Sequence, residues 1–430
     1  MLIDFKFQNF RSFNNQQEFT LVASNYEKNL PENTIKHSLA GLSGVDFLSS
    51  AAVYGANASG KTNLFLALVS LRNFVVNSFK VDLTFPTCAI PFKLQPSSLE
   101  KPSKFEVQFL EDNVRYQYVL SLTAKQVIEE SLFAYPLGVC QKWFIRKWNP
   151  QTEQYDWKFS SAKVIKGLSA ISKRTRPNVS FLSKAADDGH PHLQTVCKWF
   201  VNSLRFINLA DGFLSPGLSI EQLKRQDKKS QILSYMRAAD FDIVDAEIEE
   251  KTLSKEEVKE HFPPQLLEWY KSRSEKDVFK SVSVAFSHKS RAGNVKMDFE
   301  EEESNGTKRF FSLLGPWLDI LKNGYVVFVD ELETCLHPLL VIEIIKLFSS
   351  ALNTKGAQLV FTTHNPLLMD ETLLRRDQIW LTEKEQGATH LCPLADYAPR
   401  KGEALMKGYL NGRYGGIPFI PNGLIPNEQE

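Results

Sequence analysis

A glycine-rich segment in the first part of the chain has the residue types and spacing of a phosphate-binding loop. Residues 55–62 read GANASGKT and match the pattern GxxxxGK(S/T). The glycines let the backbone approach a phosphate group, whose charge is met by loop N–H groups, while Lys61 reaches the terminal phosphates and Thr62 ligates Mg²⁺. An incidental glycine turn is the alternative, but we expect a site for ATP and Mg²⁺. The predicted nucleotide-binding residues are Gly55, Ala56, Asn57, Ala58, Ser59, Gly60, Lys61, Thr62 and Asn63.

Two adjacent acids follow an apolar run later in the chain. Residues 325–329 read YVVFV, and Asp330 and Glu331 come directly after them. An acid pair at the carboxyl end of a buried strand lies where open α/β sheets bind their ligands. Asp330 is then a candidate ligand of Mg²⁺ through water, and Glu331 is a candidate base that orients or deprotonates an attacking water. Taken alone, the pair would equally fit an acidic cap of the next helix.

A histidine and a serine–glycine turn are further candidates for the same site. His364 follows the apolar run 358–362 and would reach the same sheet edge, where an imidazole can contact a γ-phosphate or the attacking water. Ser304 and Gly306 precede a helical pattern, and a serine with free N–H groups at a helix start can bind an anion. Without the other motifs, a structural histidine and a capped helix would explain these residues.

The surrounding elements must bring these residues together. Apolar residues 51–54 predict a strand before the glycine loop, and the apolar spacing after it predicts a helix over 62–76. Strands and helices alternate from 307 to 362, which predicts a mainly parallel sheet. Period-two patterns predict antiparallel hairpins at residues 2–22, 105–122 and 282–299.

The fold class that follows is α/β, with a mainly parallel core sheet, an antiparallel β subdomain and an inserted helical lobe. Residues 219–271 are rich in Glu, Lys, Gln and Leu and predict helices that break at Pro263 and Pro264. The predicted domains are an N-terminal part of the core domain at 1–210, the helical lobe at 211–277, a C-terminal part of the core domain at 278–420 and a tail at 421–430.

Composition limits the class of protein. The 430 residues include 51 Lys and Arg against 50 Asp and Glu, so contact with nucleic acid or anionic lipid would need a local basic patch. The five cysteines lie far apart, which favours a reducing compartment, and we expect a cytoplasmic protein. The sequence has no pattern typical of a signal peptide or a membrane span, so we expect no membrane contact.

The order of these motifs resembles that of ABC-type ATPases: phosphate loop, SxG signature, apolar strand ending in Asp-Glu, and a strand ending in histidine. More narrowly, the chain resembles the SMC, RecF and OLD branch of that family. Within the branch it is most similar to ATPase subunits of bacterial abortive-infection and phage-defence modules of the RloA, AbiL and PARIS kinds. The segments that carry the resemblance are NFRSF (9–13), GANASGKTN (55–63), ESNGTKR (303–309), VDELETCLHP (329–338), TTHNPLLMD (362–370), RRDQIW (375–380) and YLNGRYGGIP (409–418).

The resemblance implies a P-loop ATPase head that works as a head-to-tail homodimer or a higher homo-oligomer. ATP would lie between the phosphate loop of one copy and Ser304 to Gly306 of the other, and residues 333–336 would form a loop that crosses the dimer interface. A departure from the family pattern is the glutamine that ligates the metal. Gln95 matches it only by position, and a polar strand end is an equal explanation.

The resemblance also implies the roles of individual residues in a Mg²⁺-dependent hydrolysis of ATP. Glu331 corresponds to the hydrolytic base and His364 to the switch histidine. The implied catalytic residues are Lys61, Glu331 and His364, and the implied metal ligands are Thr62, Asp330 and Gln95.

We expect the chain to be an ATP-driven switch of an anti-phage, abortive-infection system that controls a separate nuclease or toxin effector, because too few residues follow His364 for a nuclease domain. The alternative is an ATP-dependent DNA-binding repair protein of the RecF kind. It would grip DNA with the basic clusters at 173–176, 224–229 and 289–291, although solvated surface charge also explains these clusters. The ATPase subunit of a transporter is the weakest fit.

Overall fold

The computed structural model describes residues 1–37, 41–80, 88–160, 166–208, 215–239, 241–253, 280–291, 293–400 and 402–418. The chain divides into two compact units. The first unit comprises Met1–Asp211, Ile320–Thr334 and Val341–Glu430, and the second unit comprises Gly212–Asp319 and Cys335–Leu340.

Strands and helices are numbered in chain order. The strands are β1 (Leu2–Gln8), β2 (Gln17–Thr20), β3 (Thr34–Lys36), β4 (Asp46–Leu48), β5 (Ser50–Gly55), β6 (Ser103–Glu111), β7 (Val114–Leu122), β8 (Val127–Tyr135), β9 (Gln141–Asn149), β10 (Gln154–Phe159), β11 (Leu204–Asn208), β12 (Ile243–Thr252), β13 (Lys280–Ser290), β14 (Gly293–Asp298), β15 (Val326–Asp330), β16 (Gln358–Thr362), β17 (Ile379–Glu385) and β18 (Ala388–Pro393). The α-helices are α1 (Lys61–Asn77), α2 (Pro96–Leu99), α3 (Leu168–Ser172), α4 (Phe181–Asp187), α5 (Pro191–Lys198), α6 (Gly217–Leu223), α7 (Gln226–Ala238), α8 (Asn305–Asn323), α9 (Pro338–Ser349) and α10 (Leu405–Leu410).

A six-stranded sheet of order β11-β15-β16-β5-β17-β18 lies in the first unit. Its neighbouring strands are parallel, except that β17 and β18 form an antiparallel hairpin. Every residue of β5, β15 and β16 is buried, which explains why these strands are continuous apolar runs. Because the three strands run in the same direction, their carboxyl ends bring Gly55, Asp330 and Thr362 to one edge. The sheet confirms the predicted α/β class and its mainly parallel core.

A seven-stranded antiparallel sheet of order β10-β9-β8-β7-β6-β1-β2 also belongs to the first unit. It contains the predicted hairpins at 2–22 and 105–122 as β1–β2 and β6–β7. Its apolar side chains belong to the same buried cluster as those of α1 and of the parallel sheet, so that one core connects α1 to both sheets. Members of this cluster include Phe5, Phe105 and Leu120 of the antiparallel sheet, Leu64, Leu68 and Leu71 of α1, and Val53 and Phe328 of the parallel sheet.

A fully buried carboxylate joins the antiparallel sheet to the start of α4. Glu130 of β8 accepts hydrogen bonds from the backbone N–H groups of Phe181 (2.7 Å) and Leu182 (3.0 Å), which are free donors of the first helical turn. The Tyr118 hydroxyl also donates to Glu130, and the buried guanidinium of Arg146 lies 3.5 Å from it. The negative charge is therefore compensated by a cation and by several donors, as burial requires.

The second unit combines helices with a three-stranded antiparallel sheet of order β12-β13-β14. The predicted hairpin at 282–299 is confirmed as β13–β14. Phe286, Phe299 and Phe311 pack edge to face with centroid distances of 5.1–5.8 Å. Helix α6 lies so close to α8 that a Cβ atom added to Gly315 would be 2.4 Å from the Ser219 backbone nitrogen. Only glycine fits this contact.

The prediction of helices throughout residues 219–271 was wrong for Ile243–Thr252, which form the strand β12. Helices α6 and α7 do form in the first part of this segment. In β12, Ala246 and Ile248 pair with Phe286 and Val284 of β13. Cross-strand packing of these side chains therefore outweighs the helix propensity of the many Glu and Lys residues.

Some sequence predictions are not decided by the structure. The domain boundaries at 210, 277 and 420 stay predictions. Pro263, Pro264 and the tail 421–430 lie outside the described residues. Within the described ranges, no helix has both the length and the apolar character that crossing a membrane requires.

The Glu130 site predicts a large stability effect. Replacing Glu130 by Ala leaves the Arg146 charge and several N–H donors buried without their acceptor, so we expect a loss of about 3–5 kcal/mol in the free energy of unfolding. Urea denaturation measures this loss. The control Glu221→Ala removes an exposed partner of Lys224 and should leave the unfolding midpoint nearly unchanged. Equal midpoints for both variants would contradict the structural role of Glu130.

Candidate functional site

The phosphate-loop motif lies between strand β5 and helix α1, as the sequence predicts. Gly60 has φ +111°, and a Cβ atom added there would lie 2.5 Å from the Thr389 hydroxyl oxygen, so the position needs glycine. The Lys61 side chain is buried and its Nζ donates to the carbonyl oxygens of Gly55 (2.9 Å) and Ala56 (3.1 Å). Burial lowers the pKa of Lys61 to about 8, against the opposing effect of nearby carboxylates. A phosphate group would offer this cation a stronger partner than the carbonyls.

Hydroxyl groups of the β17–β18 hairpin form hydrogen bonds with the phosphate loop and with the residue that precedes it. The Ser59 and Thr382 hydroxyl oxygens are 2.6 Å apart, and Thr382 donates to the Tyr54 carbonyl oxygen (3.1 Å). Thr389 donates to the Ser59 carbonyl oxygen (2.8 Å). The sequence analysis missed Thr382 and Thr389, because a lone threonine more than 300 residues from its partner carries no local signal.

The segment NFRSF also reaches the loop. The Ser12 hydroxyl accepts a hydrogen bond from the Asn63 side chain (2.8 Å) and lies 2.8 Å from the Thr389 hydroxyl. Arg11, Ser12 and Asn63 line a cavity of about 310 Å³ next to the first turn of α1, together with Ile90, Pro91, Phe92, Lys93, Leu94, Lys384 and Gly387. This cavity offers room for the part of a nucleotide that lies beyond its phosphates.

The two predicted acids lie at the same sheet edge, held by one threonine. The Thr362 hydroxyl donates to Asp330 Oδ1 (2.6 Å) and accepts from the backbone N–H of Glu331 (2.7 Å). Asp330 is buried, and Glu331 has φ +54°, which is uncommon for a residue with a side chain. The arrangement fixes the Asp330 side chain and the Glu331 backbone relative to β16.

Thr62 and Asp330 are suitable protein ligands for Mg²⁺. A hydroxyl and a carboxylate offer the hard oxygen atoms that this ion prefers, and Mg²⁺ usually keeps several waters and binds substrate phosphates besides one or two protein ligands. In the described parts of the chain, no group of three or more His, Cys, Asp or Glu side chains is placed to hold a metal. The residues present therefore fit an ion that arrives with a nucleotide.

His364 follows β16 at this edge, and the residue is only partly covered by its neighbours. Its backbone N–H donates to Glu333 Oε1 (2.6 Å). Partial burial and the Lys61 charge lower the pKa of His364, so that its imidazole is neutral at pH 7. A neutral ring can accept a hydrogen bond from water as well as donate one.

For three predicted residues, the structure does not assign the predicted role. The Gln95 side-chain oxygen accepts a hydrogen bond from Asn14 (2.6 Å), and the residue is exposed before α2. The Ser304 hydroxyl, in the second unit, accepts from the backbone N–H of Thr307 (3.1 Å) in the first turn of α8. Ser304 is exposed and Gly306 is partly exposed. The metal role of Gln95 and the nucleotide role of Ser304 and Gly306 stay predictions.

Comparison with known proteins places this site in a family. Residues 50–166 and 198–370 match the family model described as "AAA domain, putative AbiEii toxin, Type IV TA system". The chain belongs to this family, which is of the AAA/ABC-type P-loop ATPase class. The SMC head domain from Thermotoga maritima is similar over 91% of this chain and 98% of that chain, with a TM-score of 0.39 and 11% identity. No curated protein matches the chain.

The hydroxyl support behind the loop can be tested with a variant of nearly the same shape. Thr389→Val removes the hydrogen bond to the Ser59 carbonyl oxygen, and we expect ATP affinity to fall about tenfold, the effect of roughly 1.4 kcal/mol. Titration calorimetry with the non-hydrolysable analogue AMP-PNP measures the change. The control Thr372→Val alters an exposed threonine that bonds Asp370, and it should bind as the unmodified chain does. Equal affinities for both variants would rule out the support role of Thr389.

Proposed function

We propose that the chain is a Mg²⁺-dependent ATPase that hydrolyses ATP to ADP and phosphate. The observation that carries the proposal is the placement of the Lys61 phosphate loop, the Asp330–Glu331 pair and His364 at one edge of a parallel sheet. In P-loop ATPases this edge receives the triphosphate. The membership of the AAA-domain family supports the same activity.

In the proposed reaction, residues of the chain bind the phosphates, orient the attacking water and accept its proton. Lys61 leaves the loop carbonyls and contacts the terminal phosphates, whose negative charge also favours the N-terminus of α1. Thr62 and Asp330 would hold Mg²⁺, which would supply positive charge at the phosphates. Glu331 accepts a proton from the attacking water, and the neutral His364 ring orients that water or the terminal phosphate.

We further propose that ATP joins two copies of the chain head to tail. Ser304 directly precedes the 19-residue helix α8, and Gly306 lies in its first turn. The Ser304 hydroxyl caps the Thr307 N–H, and a phosphate that bound here would take over this contact at the positive end of the helix. The Ser304 turn of a second copy would then complete each site. ATP binding would favour the closed dimer, and hydrolysis would release it.

The family description supports a proposed role in bacterial defence. Because it names a toxin and a type IV toxin–antitoxin system, we infer that the ATP-driven dimer acts as the switch of an abortive-infection module. Its subfamily would be of the RloA, AbiL or PARIS kind, and a separate nuclease or toxin protein would be its effector. Cys88, Cys140, Cys197, Cys335 and Cys392 are all free thiols, which supports action in the reducing cytoplasm.

DNA repair is less well supported, because many charges of the basic clusters already have partners. Lys224 pairs with Glu250 (2.8 Å) and Lys229 pairs with Asp245 (2.7 Å). Arg174 lies 3.2 Å from Asp188. Since these cations form ion pairs within the chain, they attract DNA phosphates less strongly than unpaired cations would.

Two substitutions separate binding from hydrolysis. We expect Lys61→Ala to weaken ATP binding at least tenfold, because it removes a cation that contacts the phosphates. We expect Glu331→Gln to bind ATP normally, to lose at least a hundredfold in kcat and to accumulate an ATP-bound dimer. Phosphate release, nucleotide titration and light scattering measure these quantities. Lys80→Ala and Glu343→Gln change an exposed lysine and an exposed glutamate and should have no effect.

Normal turnover by Glu331→Gln would exclude its role as the base. We expect the double variant Glu331→Gln, Ser304→Ala to form less dimer than Glu331→Gln alone. Equal amounts of dimer would exclude the proposed serine contact.

The DNA alternative predicts a salt-sensitive interaction that the compensated clusters should not give. We expect a fluorescent DNA duplex to bind with a Kd weaker than about 1 µM at physiological salt, with or without ATP, which is the range of non-specific binding. Fluorescence anisotropy measures this. Tight ATP-dependent binding that falls steeply with salt, and that Lys224→Ala, Lys228→Ala and Lys229→Ala together abolish, would favour the repair function instead.

A further inference from the structure

A third carboxylate lies close to the proposed hydrolytic site without a role in the reaction described above. Glu333 follows the proposed base Glu331 by two residues, and its Oε1 accepts the backbone N–H of His364 (2.6 Å). Its Oε2 is inaccessible to solvent and has no hydrogen-bond partner. An inaccessible carboxylate oxygen without a donor is costly, so another state of the site is expected to supply one.

Tyr54 carries the donor that fits this oxygen. It is the residue before Gly55 of the phosphate loop, it is fully buried, and its hydroxyl also has no hydrogen-bond partner. Burial, with the nearby Glu333 carboxylate and Tyr409, raises the pKa of Tyr54 well above its usual value, so its hydroxyl stays protonated and can donate. The Thr363 backbone N–H donates to the Val53 carbonyl oxygen (3.1 Å), so the segment that Glu333 holds at His364 lies beside the strand residue before Tyr54. These adjoining segments thus contain an inaccessible donor and an inaccessible acceptor, both without a hydrogen-bond partner.

The same carboxylate also lies within electrostatic range of Lys61, whose ammonium group bonds the Gly55 and Ala56 carbonyl oxygens. A bound triphosphate would draw Lys61 away from these carbonyls. Tyr54 directly precedes Gly55, so the loss of the Lys61 bond to the Gly55 carbonyl oxygen would change the contacts of the backbone next to Tyr54. Nucleotide binding is therefore the event most able to bring the two unsatisfied groups together.

We propose that Glu333 is a positioning residue that links the phosphate loop to the loop of His364: Oε1 holds the His364 backbone, and Oε2 receives the Tyr54 hydroxyl when ATP binds. The proposal deepens the proposed ATPase function and rests on it. Glu333 does not serve as a second base, because one oxygen is occupied by an N–H group and the other is closed to water. Its action on hydrolysis passes through the placement of His364.

A first experiment needs no nucleotide turnover. Hydrogen exchange of the His364 amide, measured by NMR or mass spectrometry in the nucleotide-free chain, reports the bond to Oε1. We expect Glu333→Ala to speed this exchange at least tenfold, and we expect Glu333→Gln, which keeps an acceptor oxygen, to preserve the protection. Unchanged exchange in Glu333→Ala would overturn the proposal.

The chain offers a matched control in Glu371. Its Oε2 accepts the backbone N–H of Gly402 (3.0 Å), and its Oε1, like Oε2 of Glu333, is inaccessible with no hydrogen-bond partner. The guanidinium of Arg376 lies 4.0 Å from this Oε1. Glu371→Ala should leave the His364 amide and the ATPase kinetics unchanged. An equal effect of Glu371→Ala would mean that general destabilisation, not positioning, explains the Glu333 result, and this outcome would also overturn the proposal.

A second experiment separates positioning from binding. We expect Glu333→Ala and Tyr54→Phe each to lower kcat about tenfold while KM and the Kd for AMP-PNP stay within about threefold. Glu333→Gln should retain more of kcat than Glu333→Ala. Loss of AMP-PNP affinity together with a fall in Tm would indicate a merely structural role. Full kcat in Tyr54→Phe would overturn the contact with Oε2.

The two experiments distinguish the failure of this inference from the failure of the proposed function. If the unmodified chain hydrolyses no ATP, the ATPase proposal fails, whereas the amide exchange still tests the Glu333–His364 bond. If the unmodified chain hydrolyses ATP and Glu333→Ala keeps its full kcat, the inference fails and the ATPase proposal stands.

Discussion

The parallel pairing of β16 with both β5 and β15 is the constraint on which the rest of the site depends. It places the end of the phosphate-loop strand at the same edge as the acid pair and the segment leading to His364, although the loop lies far from both in the sequence. The Thr362 hydroxyl at the end of β16 then fixes Asp330 and Glu331 relative to each other. The buried strand β16 therefore sets the positions of the polar groups at this edge of the sheet.

Charge compensation is the second theme of the site. Lys61 is buried against carbonyl oxygens in the nucleotide-free chain, and burial lowers its pKa to about 8. Asp330 is buried nearby and bonds Thr362, whereas one inaccessible oxygen of Glu333 has no hydrogen-bond partner. A phosphate group would offer Lys61 anionic oxygens in place of the carbonyl oxygens that it contacts here.

Much of this arrangement could be predicted from sequence, where the signal is local. The strand–loop–helix around Lys61 was predicted because glycine spacing and apolar periodicity coincide there, and β15 and β16 because continuous apolar runs are typical of buried parallel strands. The strand β12 was not predicted, because its composition favours a helix and only its pairing with β13 makes it a strand. Thr382, Thr389 and Glu333 were also missed as supporting groups. Their partners lie far along the chain or, for Glu333, become apparent only once β16 is placed beside β15.

The hydroxyl support of the phosphate loop has a consequence for the synthesis of the protein. The Thr389 side chain bonds the Ser59 carbonyl oxygen, so a residue made late in translation completes a loop made early. A nascent chain can therefore pair β1 with β2 and form α1 long before its loop acquires its final support. A product truncated by stalled translation before residue 389 would lack the hydroxyl that holds the Ser59 carbonyl oxygen, so its phosphate loop would be left without this contact.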